Sequence, residues 1–212
     1  MKNLSNKVEE KGKKKIINFK ITTLKKKQQI SLLDEILGIG DSTGFSESGK
    51  PIIVVPAIPV RGGISIANTF DFLVKGKYVD PLEAEAKLNT EQKLNEKIEF
   101  EKEIAGKNIQ FEVYNSVISF TKRHWKRVVA VFVHGEKWQF KDWPTKESMV
   151  DIFLKIKGYY ITYHDVKPPA YIGKINVEQH TLDRTMRHGD QKLKDEIWNG
   201  LTNFMLKERY KG

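Results

Sequence analysis

Apolar residues along this chain switch repeatedly between continuous runs and helical spacing. Ile52 to Val55 is an unbroken β-branched run, which marks a strand buried on both faces. Ser65 to Val74 follows, with Ile66, Phe70 and Leu73 on one predicted helical face, and Gly76 ends it. Ile109, Phe111 and Val113 alternate with polar residues, the pattern of a half-exposed strand. Val128 to Val133 reads Val-Val-Ala-Val-Phe-Val, a second strand with no polar face. Ser148 and Asp151 have the spacing of a capping box, opening a helix through Phe153, Leu154 and Ile156 to Gly158. Tyr159, Ile161 and Tyr163 alternate as a further strand, and Ile172 to Val177 is a less regular strand candidate. A final helix capped by Asp190 lines up Leu193, Ile197, Leu201, Phe204 and Met205. Strands alternating with helices, two of them apolar throughout, predict an α/β sheet covered by helices on both faces. Ile53, Val55, Val129, Val131 and Phe132 should lie more than nine-tenths buried in adjacent central strands.

Two segments fall outside this rhythm. Residues 82–104 are dense in Glu and Lys with sparse apolar positions, and read as an exposed helix or mobile insertion rather than core. Residues 1–27 are lysine-rich without a sustained period and read as mostly disordered. Ile30, Leu33, Ile36 and Leu37 have helical spacing, and the Gly-, Ser- and Asp-rich stretch 38–50 reads as a linker. The expected organisation is a basic tail and linker over 1–49 and one folded domain over 50–212, with a charged insertion at 76–108.

Charge sharpens this division. The 212 residues carry a formal +10, and ten lysines against two glutamates place +8 of it in residues 1–30. The folded part is nearly neutral. Such a tail suits nucleic acid, acidic proteins or nuclear import through Coulomb attraction. Cysteine is absent, which excludes disulfides, thiolate metal sites and cysteine nucleophiles, and fits a reducing compartment. The most apolar run, Pro51 to Val60, contains three prolines and is half the length of a membrane span. A soluble intracellular protein without membrane contact is expected.

Candidate chemistry is thin. Gly44 to Lys50 has the G-x4-G-K frame of a phosphate-binding loop, but the frame precedes a strand and ends on Pro51 instead of a Ser or Thr. After Ile52–Val55, where such a loop belongs, the chain reads Pro-Ala-Ile-Pro-Val-Arg61-Gly62-Gly63-Ile64. That turn offers neither the lysine nor the hydroxyl that nucleotide and magnesium need. The five histidines lack metal-ligand spacing. His134, His164 and Asp165 follow predicted strands, where α/β folds place active sites. No serine elbow or paired-carboxylate pattern joins them, so no catalytic residue, cofactor or metal is assigned. Lys122-Arg123-His124-Trp125-Lys126-Arg127 is the densest basic cluster of the folded part. Trp138, Phe140 and Trp143 make the next loop aromatic, with core packing expected for Trp138 and Phe140 and either role open for Trp143.

Pro51-Ile-Ile-Val-Val-Pro56, Arg127 to Val133 leading into Trp138-Gln-Phe-Lys-Asp-Trp-Pro144, and Val150 to Lys157 together resemble the C-terminal domain of the parafibromin family. His180, Asp183-Arg184 and the closing helix agree, and the resemblance spans roughly residues 50–208. It implies a Ras-like α/β fold without nucleotide machinery, in a nuclear, non-enzymatic subunit of the Paf complex. Family members carry a long N-terminal half that contacts other Paf-complex subunits, whereas 49 residues precede the domain here. The role implied is to couple that complex to elongating RNA polymerase II, supporting transcription elongation and co-transcriptional histone modification. Expected partners are the other complex subunits and a phosphorylated peptide from the polymerase tail or elongation-factor repeats. Phosphate needs Arg or Lys donors beside an apolar platform. Lys122, Arg123, Lys126 and Arg127 around Trp125, with Trp143, and a second set of Arg184 and Arg187, are the candidates. Two alternatives remain: a degenerate P-loop-type hydrolase, and a nucleic-acid binder acting through residues 1–30.

Overall fold

The computed structural model describes residues 49–208, apart from 94, 105, 142 and 144–148. The tail, the helix expected near residues 30–37 and Ser148 lie outside that range. In chain order the elements are β1 (Ile52–Val54), α1 (Ile66–Leu73), α2 (Pro81–Ala86), α3 (Thr90–Lys93), β2 (Lys97–Ile104) and β3 (Lys107–Tyr114). They continue with α4 (Lys122–Trp125), β4 (Val128–Val133), α5 (Met149–Lys155), β5 (Lys157–Tyr163), β6 (Val177–Leu182) and α6 (Gly189–Glu208). The six strands form one sheet in the order β2-β3-β1-β4-β5-β6. All pairings are parallel except β2 with β3.

Alternate residues of the central strands feed two cores. Ile53, Val55, Phe132 and Tyr159 meet Phe72 of α1 and Ile197, Trp198 and Leu201 of α6 on one face. Ile52, Val54, Val131 and Tyr160 meet Ile152 and Phe153 of α5 and Ile172 on the other. The sheet is thus covered on both sides, and its order with an antiparallel β2 at one edge is Ras-like. β1 and β4 are adjacent and central, as their unbroken apolar runs predict. Val129 is the exception, only partly buried. The register between β1 and β4 shifts here, from Ile52↔Val128 to Ile53↔Ala130, so Val129 sits at a bulge without a direct partner.

Five other expectations change. The charged stretch 82–104 is not an exposed helix: it contains α2 and α3 and then β2, whose Phe100 and Ile104 are core residues. Phe100 stacks on Phe111 with centroids 5.9 Å apart and meets Trp198 edge-on at 6.1 Å. Helix α1 buries Asn68, Thr69, Phe72 and Leu73, while Phe70 is 41% exposed under Lys75. Its buried stripe is part polar because the Asn68 amide donates to the Gly63 and Val79 carbonyls and the Thr69 hydroxyl to that of Ser65. β5 is buried on both faces instead of alternating, and Leu154 of α5 faces outward. The last strand begins at Val177, because Ile172 to Lys174 form a 3-10 turn that plugs Ile172 into the second core.

The strand entrances are held by charge. Arg127 Nη1 donates to the Lys50 carbonyl and to Glu112 Oε2, each at 2.9 Å, and Lys97 Nζ reaches Glu112 Oε1 at 2.8 Å. Burial works against ionisation of Glu112, but Lys97 and Arg127 outweigh it and keep the carboxyl below its ordinary range.

Phe132, stacked on Tyr159 at 5.4 Å and 2% exposed, reports on the central pair. Phe132→Ala should lower stability by about 3–5 kcal/mol in urea unfolding, because the cavity cannot collapse between two strands and a helix. A loss under about 1 kcal/mol would contradict a core position.

Candidate functional site

The carboxyl ends of parallel strands are where folds of this class bind ligands, so the loops after β1, β3, β4 and β5 are the place to look. The loop after β1 is closed by the chain itself. Gly62, at φ 78°, donates its N–H to Asp80 Oδ2 at 3.2 Å. Tyr163 Oη donates to the same oxygen at 3.0 Å, and the Leu82 N–H to Asp80 Oδ1 at 3.1 Å. Asp80 is only 6% exposed. The Gly63 carbonyl accepts from Tyr78 Oη at 2.8 Å, and Ser65 and Asn68 cap the start of α1 reciprocally. A nucleotide-binding loop needs these amides free for phosphate. Here they are used by internal side chains, and no P-loop is formed.

The three groups at strand ends stay apart in role. His134, after β4, is buried against Trp138 with ring centroids 4.7 Å apart and both ring nitrogens unpartnered. Burial pushes its pKa down, so the imidazole is held neutral. His164 is exposed, 3.9 Å from Asp183 Oδ2, while Asp165 pairs with Arg184 at 2.9 Å. Among the described residues no group of three or more His, Asp or Glu side chains converges as a metal site, and no helix is long and apolar enough to cross a membrane.

The basic cluster divides. Lys122, Arg123 and Lys126 are exposed on and just after α4. Trp125 is half-buried, packed on Phe120 at 5.3 Å and on Trp143 at 4.8 Å. Trp143 is 8% exposed and belongs to the second core; Arg127 is held inward by Glu112. Both act inside the fold. Arg184 lies over the Tyr163 ring at 3.9 Å, and Arg187 over Tyr78 at 5.1 Å while pairing with Asp190. These two arginines bring positive charge beside the Asp80 network. Phe140 is partly buried against the second core, whereas Trp138 is 47% exposed, opposite to the expectation for it.

Sequence reading missed a cleft of about 140 Å³ between the loops after β1, β3 and β4. Val55, Ala57, Asn115, Val117, Ile118 and Trp138 form most of its wall, and Trp143 connects it to Trp125 and α4. Asn115 to Ile118 carry no motif; the one available signal was three loops sharing the carboxyl side of adjacent strands.

Asp80→Ala strands the Gly62 and Leu82 amides and the Tyr163 hydroxyl in a buried site. It should cost about 3 kcal/mol in chemical unfolding, and Asp80→Asn, which keeps an acceptor, clearly less. Equal losses for the two would contradict the hydrogen-bonding role.

With this geometry in view, similarity to known proteins is specific. Residues 47–204 match the family model described as RNA pol II accessory factor, Cdc73 family, C-terminal. The chain is 30% identical over 164 residues to cell division control protein 73 of Saccharomyces cerevisiae, covering 76% of this chain and 40% of that protein. It is 33% identical over 162 residues to the CDC73 homolog of Arabidopsis thaliana, covering 74% and 38%, and 30% identical over 162 residues to cell division cycle protein 73 of Caenorhabditis elegans, covering 76% and 31%. The matching part therefore spans well under half the length of these relatives. The solved conserved domain of yeast Cdc73 superposes with a TM-score of 0.66 at 28% identity, covering 74% of this chain and 97% of that one. A Ras-like sheet whose phosphate turn is sealed, matched along nearly all its described length, makes this chain a member of the Cdc73 (parafibromin) family through its C-terminal domain.

Proposed function

We propose that this domain is a non-enzymatic, nuclear binding module that helps attach the Paf complex to elongating RNA polymerase II. It would thereby support elongation and co-transcriptional histone modification. The single observation that carries the reading is the sealed turn after β1: Asp80 and the α1 cap consume the donors a nucleotide would need, in a family described as an RNA pol II accessory factor. A surface for partners then stands in place of a catalytic site. The partners in this reading are other Paf-complex subunits and a phosphorylated repeat peptide of the polymerase tail or an elongation factor.

Lys122, Arg123 and Lys126 support the peptide arm of this reading. They project from a one-turn helix braced by Trp125 against Trp143, so the charges sit on a fixed base. Arg123 contributes most, because a guanidinium binds phosphate bidentately and a lysine does not. Residues 1–30, with net +8, add a route to nucleic acid or to nuclear import that depends steeply on salt.

Two measurements test the proposal. Isothermal titration with GTP, GDP and ATP in magnesium should show no micromolar binding; such binding would favour the hydrolase reading instead. Fluorescence titration should show the phosphorylated repeat peptide binding tighter than its unphosphorylated form, and Arg123→Glu/Lys126→Glu should remove the difference, with or without residues 1–30. Equal affinity for the two peptides would take this surface out of the argument.

A further inference from the structure

We propose that the open edge of β2 takes a seventh strand, supplied by residues 17–21 of this same chain. β2 ends the six-stranded sheet and pairs on one side only, with β3. Every second residue of an edge strand turns its N–H and C=O outward, where another extended segment can bond them. The edge at Lys97–Ile104 is eight residues long, and its two faces differ. Toward the first core stand Phe100 and Ile104, with Ile98 partly buried and Lys102 Nζ over the Trp198 ring at 5.6 Å. On the other face Glu99, Glu101 and Glu103 are exposed. Glu99 is paired with Lys50 at 2.5 Å and with Lys97 at 2.6 Å. Glu101 and Glu103 stand opposite Gln110 and Asn108 of β3, which carry no charge.

The acidic face and the course of the chain select the occupant. A second copy paired edge to edge would set these glutamates against their own counterparts, and like charges directly opposite are unfavourable. One-signed charge guards an edge against copies of itself and leaves it open to a strand of opposite charge. Ile17, Phe19 and Ile21 alternate with Asn18 and Lys20, between the lysine runs 13–15 and 25–27. Five alternating residues do not hold a strand alone. Beside β2, Ile17, Phe19 and Ile21 extend the face of Ile98 and Phe100 along the margin of the first core. Lys20, with Lys14 at the same parity, then falls on the face of Glu101 and Glu103. The chain also enters the domain at the right place. Gly49 lies against Arg127, and Lys50 is bonded to Glu99 of β2 itself. From β1 the open edge is three strand spacings away, about 15 Å. The 27 residues from 22 to 48 cover about 30 Å as a coil, so the segment reaches the edge without strain. Tethering also gives it an effective concentration in the millimolar range, which a separate partner lacks.

Hydrogen exchange read by NMR on the full chain is the test. Amides of residues 17–21 that face β2 should exchange about tenfold or more slower than in a coil, and the outward amides of β2 should share that protection. Phe19→Pro, which breaks a strand but lies outside the folded domain, should return both segments to fast exchange. Glu101→Lys/Glu103→Lys should cut the protection of residues 17–21 by about fivefold. Adding Lys14→Glu/Lys20→Glu to that variant should restore most of it, which a general loss of stability would not allow. Coil-like exchange at residues 17–21 in wild type, or protection of β2 untouched by Phe19→Pro, would overturn the proposal. No loss in Glu101→Lys/Glu103→Lys would overturn it as well. So would protection that rises with protein concentration, because the added strand would then come from a second copy.

Discussion

A single buried carboxylate ties together the carboxyl side of the sheet and the helices that cover it. Asp80 accepts from the turn after β1, from the end of β5 and from the start of α2. The residues just before it extend that grip, since the Tyr78 N–H reaches Asp190 at the start of α6 and Tyr78 Oη reaches the Gly63 carbonyl. Burial of this carboxylate would be unfavourable alone. Three donors satisfy it, and Arg184 and Arg187 on the Tyr163 and Tyr78 rings place positive charge nearby. A turn that in a nucleotide-binding fold stays open to phosphate is committed here to holding the helices on the sheet.

With that turn sealed, the remaining carboxyl-end loops carry exposed apolar and basic side chains. The second core reaches them through aromatic contacts: Phe153 to Phe140, Phe140 to Trp143, and Trp143 to Trp125. Aromatic packing of this kind fixes loop positions without long regular elements. It explains how a one-turn helix keeps a defined position, and how Trp138 remains outward while Trp143 is buried. Rigid support under an exposed, charged and apolar surface lowers the ordering cost of binding.

How much was legible in the sequence follows from what each residue type can do alone. Continuous β-branched runs such as Ile52–Val55 and Val128–Val133 have few structural solutions, so the two central strands and the doubly covered sheet followed from them. The missing Gly-Lys-Ser/Thr after β1 was equally plain, as was the place of the chain among Cdc73 relatives. β2 was hidden by its charge, although Ile98, Phe100 and Ile104 keep a period of two; Glu on the solvent side and Lys102 arching over Trp198 disguised an edge strand. Edge strands are charged because pairing with other chains must be avoided.

Tertiary structure alone decided which members of a polar or aromatic cluster face outward. Arg123 and Arg127 are the same residue type four positions apart, yet one is exposed and the other is locked to Glu112, a residue fifteen positions upstream. Trp138 is outward against the sequence expectation and Trp143, which sequence left open, is buried, because burial depends on where Phe140 and Trp125 sit in space. The cleft arises from three loops distant in sequence. Local pattern therefore determined the strands, the sheet and the absence of a phosphate loop, since these depend on spacing and backbone preference. Which side chains face outward depended on long-range neighbours, whose contacts set burial and charge, and no local pattern encodes those.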